Sequence, residues 1–60
     1  MSKKYYVVIA SLLKALLMDH AHNSNYVMAI TDVMHGLIEI MKKDNPNFQE
    51  SKFLEAVLKF

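Results

Sequence analysis

Between Tyr5 and Met18 only Ser11 and Lys14 are not apolar. At helical spacing this run lays down two apolar rows side by side, Tyr5, Ile9, Leu12 and Leu16 in one, Tyr6, Ala10, Leu13 and Leu17 in the other. Val7, Val8 and Met18 widen the stripe further. A helix that faces a core on one side needs an apolar arc of only about 100°. The segment therefore predicts a helix from Lys3, capped by Ser2, that is covered over most of its circumference and fades between Asp19 and His22.

The same doubling recurs further on. Asn23-Ser24-Asn25 is a short polar break made of capping residue types. A second helix is expected from about Asn25 to Lys43. Its apolar row is Tyr26, Ile30, Val33, Leu37 and Ile40, flanked by Val27, Met34, Ile38 and Met41, with Asp32, His35, Glu39 and Lys42 on the polar side. Gly36 inside it costs about 1 kcal/mol relative to Ala, and is expected to allow close helix packing or to mark a kink. Pro46 turns Asn45 away from helical backbone, so Asp44-Asn45-Pro46-Asn47 ends the helix. A third, short helix is expected from Glu50 to Lys59, with Phe53, Leu54, Val57, Leu58 and Phe60 on its apolar side. Asn47 offers an N-x-x-E capping pattern with Glu50. Gln49 is a poorer cap, but it puts Phe48 and Phe53 where a hydrophobic staple needs them, and that start is favoured.

The expectation is an all-α domain spanning 1–60, with two long antiparallel helices and a short C-terminal helix folded across them. For 6.9 kDa, area scaling gives a folded surface of roughly 4,000 Å² against roughly 10,000 Å² unfolded, the marginal regime. With 53% hydrophobic residues, the chain carries more apolar surface than so small a monomer hides. No cysteine is present to form a disulfide. A homodimer is the expected remedy.

Composition narrows the function classes. The absence of cysteine removes thiolate metal sites and thiol chemistry. The absence of arginine removes the usual bidentate reader of phosphate and guanine. His20-x-His22 has a metal-ligand type of pair, but residues two apart on a helix point about 200° apart. Histidine near a helix C-terminus is also favoured by the helix dipole. Asp32, His35 and Glu39 share a face at a spacing that would suit acid–base work, yet it is equally the pattern of a solvated helix face. No serine, cysteine or glycine-rich loop completes a catalytic set. No catalytic residue, cofactor site or metal site is assigned. The apolar run at the start is fourteen residues long, short of the ~20 a spanning helix needs. No small-x-small cleavage site follows it, because Asp19, His20 and His22 stand there. The chain is therefore expected in the cytoplasm.

The segment Asp44-Asn45-Pro46-Asn47-Phe48 followed by Phe53-Leu54-Glu55-Ala56 resembles the ending of many short phage- and prophage-encoded helical proteins of unassigned function, with an N-P-x-F…F-L-x-A pattern. The opening Lys3-Lys4-Tyr5-Tyr6…Ile9-Ala10…Leu13 is loosely similar to theirs. Gln49 stands where that family often has an acidic residue. The resemblance implies a small helical phage product without enzymatic activity, of the kind that acts on host proteins, including defence systems.

Two readings of function follow. The first is a non-enzymatic protein–protein interaction module, phage-encoded, that inhibits a host protein by occlusion in the host cytoplasm. Its candidate interface is Tyr5, Tyr6, Leu13, Leu17, Met28, Met34 and Met41, where tyrosines and adaptable methionines gather. The second is a small dimeric DNA-binding transcriptional regulator. Against it, the lysines are spread along the chain, and the helix after the first turn is apolar with an acidic flank.

Overall fold

The computed structural model describes residues 3–59. It consists of three helices, α1 (Lys3–Asp19), α2 (Ser24–Asp44) and α3 (Glu50–Leu58), with no strand among the described residues. The expected cap Ser2 and the apolar Phe60 lie outside the described residues.

Each junction follows from local chemistry. After α1, the His20 N–H donates to the Leu16 carbonyl at 3.2 Å and the Asn23 N–H to the His20 carbonyl at 2.9 Å, closing the turn. Asn23 then caps α2, its Oδ1 accepting from the Tyr26 N–H at 3.1 Å. The helix therefore starts at Ser24, a residue earlier than the sequence suggests, because Asn23 satisfies a donor that would otherwise be unpaired. At the far end Asn45 adopts extended backbone, as a residue before proline should. Its carbonyl accepts from the Phe48 N–H at 2.9 Å, and its Oδ1 from the Asn47 N–H at 3.0 Å. Pro46 thus stands at the second position of a β-turn. Lys42 and Lys43 occupy the last turn of α2, where the helix dipole favours cations.

Gln49 is the N-cap of α3 and makes no side-chain capping bond. The staple holds this start instead: Phe48 and Phe53 lie with ring centroids 5.7 Å apart. Phe48 also meets Tyr6 edge-on at 4.9 Å, tying the beginning of α1 to the α2–α3 connection.

The core takes Ala10, Leu13 and Leu17 from α1, Met34, Ile38 and Met41 from α2, and Phe53 and Val57 from α3. In both long helices the buried row is the second of the two seen in sequence. Tyr5, Leu12, Tyr26, Val33 and Ile40, from the first rows, are exposed. Ile9, Leu16, Ile30 and Leu37 are half-buried between the two. Gly36 does not serve close helix packing. A Cβ there would meet nothing within 4 Å, and α2 runs through it unbroken.

Two stability outcomes are expected. Met41, with 0% exposure, should cost about 2–5 kcal/mol on truncation to Ala, against the ~3–5 kcal/mol that a core of this size supplies. Urea titration of Met41→Ala by circular dichroism should show it largely unfolded. Gly36→Ala should shift the same midpoint upward, by about 1 kcal/mol of added stability.

Candidate interaction surface

The described surface measures 4443 Å², above the ~4,000 Å² that scaling gives for this mass. Much of it is apolar side chain. On α1, Tyr5, Val8 and Leu12 are exposed, on the edge next to half-buried Ile9 and Leu16. On α2, Tyr26, Val33 and Ile40 recur every seven residues and are exposed, next to half-buried Ile30 and Leu37. Each of these rows is continuous with the row that enters the core. Val7, Met18, Met28 and Leu58 are exposed elsewhere.

The other edge of α1 meets α3, which shares more contact with it than α2 does. Lys3, Val7 and Ala10 line an open cleft of about 330 Å³ with Phe48, Lys52 and Ala56. Lys14 lines a shallower depression with Lys52, Glu55 and Lys59. The fold thus draws four of the seven lysines to the α1–α3 side. In sequence they look dispersed, because α1 and α3 are far apart along the chain. Glu55 lies 3.8 Å from Lys59 on that side. Lys42 faces Glu50 at 3.2 Å, across the α2–α3 connection. Both pairs are substantially exposed, so each contributes well under 1 kcal/mol.

The residues singled out for chemistry do not converge. His20 stacks on Tyr26, rings 3.7 Å apart and 24° from parallel, so it packs the α1–α2 turn. His22 is exposed in that turn, and Asp32, His35 and Glu39 are exposed along α2. Among the described residues no three histidine or carboxylate side chains come together as a metal site would require.

The expected interface residues divide. Leu13, Leu17, Met34 and Met41 are core residues, out of reach of a docking partner in this fold. They belong to the one core cluster that the three helices share, and covering one row of a helix leaves the neighbouring one open. Tyr6 is half-buried between α1 and Phe48. Tyr5 and Met28 remain at the surface, Met28 at 65% exposure. Val8, Leu12, Val33 and Ile40 lie outside the expected interface, although the seven-residue spacings Tyr5–Leu12 and Tyr26–Val33–Ile40 already mark an alternative seam.

The chain matches no known family model, no curated protein and no solved structure. No helix among the described residues is long and apolar enough to cross a membrane.

One polar group is poorly accommodated. The Tyr6 hydroxyl is buried without a hydrogen-bond partner among the described residues. An unpaired buried hydroxyl costs about 1–3 kcal/mol. Tyr6→Phe should therefore be neutral or stabilising in thermal melts, whereas Tyr6→Ala, which removes the ring against Phe48, should destabilise.

Proposed function

We infer that this chain is a small non-enzymatic binding protein that acts by covering a site on a partner protein. The observation that carries the reading is the exposed apolar surface: ten large hydrophobic side chains stand out from the described surface, where a monomer of this size normally shows only small patches. α1 and α2 run roughly antiparallel in this reading. His20 on Tyr26 at one end and Tyr6 near Phe48 at the other support it. The phage resemblance supports a host protein as the target and the host cytoplasm as the place of action. Met28, flexible and exposed away from the Tyr26 row, is the surface residue best suited to meet that partner.

A second reading, a small dimeric DNA-binding regulator, gains from the lysines gathered on the α1–α3 side. Phosphate contact wants lysines on one face, and Lys3, Lys14, Lys52 and Lys59 come nearer to that than their spacing in sequence.

A pull-down from bacterial lysate with and without nuclease separates the two. The interaction reading expects a stoichiometric protein that survives nuclease and is lost from Met28→Glu, while the helical signal persists. Recovery that vanishes with nuclease overturns it in favour of the second reading. In that case affinity should fall steeply with salt, and Lys14→Ala with Lys52→Ala should flatten the slope.

A further inference from the structure

We propose that the apolar face of α1 and α2 is covered by a second copy of this chain, with its ends reversed. The inference rests on reading exposed apolar rows as binding surface, and it names the occupant of one such surface.

The face has the area of a stable interface. Tyr5, Val8, Leu12, Tyr26, Val33 and Ile40, with their half-buried neighbours, present on the order of 700 Å² per copy, close to the ~800 Å² each partner gives to a stable interface.

The face is also self-complementary. Leu12 lies seven residues from Tyr5 and seven from Asp19. Val33 lies seven from Tyr26 and seven from Ile40. α1 ends at Asp19 and α2 begins at Ser24. Equal counting back from the turn brings Leu12 level with Thr31. Val33 is two residues beyond, ~3 Å at the helical rise. The two midpoints therefore sit at about the same height. A two-fold axis crossing both helices between them lays each row on its own reverse, so that Tyr26 of one copy meets Ile40 of the other. The seven-residue spacing is the one that lets helices interlock along a seam.

Charge favours the reversed pairing. Lys4 and Lys43 flank the face at one end, beside Asp44, while Asp19 stands in the α1 row at the other. Copies with ends aligned would bring the lysines together. Copies with ends reversed bring Lys4 to Asp19, and like charges are kept apart. The acidic end also argues against a lipid surface, which would want lysines along the whole face.

The absence of native cysteine makes the test direct. The purified chain should sediment at twice its mass across the micromolar range, and a monomer overturns the proposal. On mild oxidation Val33→Cys and Leu12→Cys should each cross-link to themselves, because they flank the axis. Tyr26→Cys should not, since its two copies lie ~20 Å apart, beyond disulfide reach. Mixed with Ile40→Cys, it should cross-link. Self-linking of Tyr26→Cys without that of Val33→Cys overturns the reversed arrangement. Leu12→Glu should be a helical monomer, and a Leu12→Glu dimer overturns the assignment of the face. Should that variant lose its helices, the Val33→Cys cross-link decides the matter alone. Asp19→Lys should weaken the dimer and Lys4→Glu in the same chain should restore it. An Asp19→Lys dimer as tight as the unaltered one overturns the charge pairing. Met28→Glu should remain dimeric, so loss of the lysate partner and loss of the dimer are read separately.

Discussion

Everything in this structure depends on a shortage of covering helix. α1 and α2 have 17 and 21 residues, and each carries two apolar rows; α3 has nine. A helix of that length covers one side of its neighbours. Phe53 and Val57 bring α3 against the row of Ala10, Leu13 and Leu17, with Met34, Ile38 and Met41 closing the core from α2. The other rows stay exposed or half-buried. Small side chains assist the docking: Ala10 is buried, and with Ala56 it lines the cleft where α1 and α3 approach.

From that shortage follows a molecule with two unlike sides. One presents aliphatic and aromatic residues at seven-residue spacing, suited to another helical surface. The other gathers lysines around a shallow cleft, suited to an acidic one. Among the described residues neither side gathers three histidine or carboxylate side chains.

The local features were legible because their causes are local. The staple of Phe48 and Phe53 around Gln49 needs only residues five apart. The Asn45-Pro46 stop needs only the clash of a proline ring with the preceding residue. The surface was less legible. Met34 and Met28 are both flexible, apolar and on α2, yet one is buried and the other stands at 65% exposure. Their spacing differs, Met34 sharing a flank with Val27, Ile38 and Met41 and Met28 standing off it, but only the fold showed that this flank is the one buried. The lysines were misleading for the same reason, since Lys14 and Lys52 adjoin one depression only after the chain has folded back.

By itself the sequence determined the three helices, their ends to within a residue, and the presence of more apolar rows than the core takes in. Periodicity and capping act within a few residues, and a single chain carries them in full. Which of the two rows went inside was a tertiary decision. Leu13 and Leu12 are equally apolar and adjacent, 100° apart on the same helix, and hydrophobic burial has no preference between them until a third helix approaches from one side. The approach of α3 sent Leu13 into the core and left Leu12 at 59% exposure.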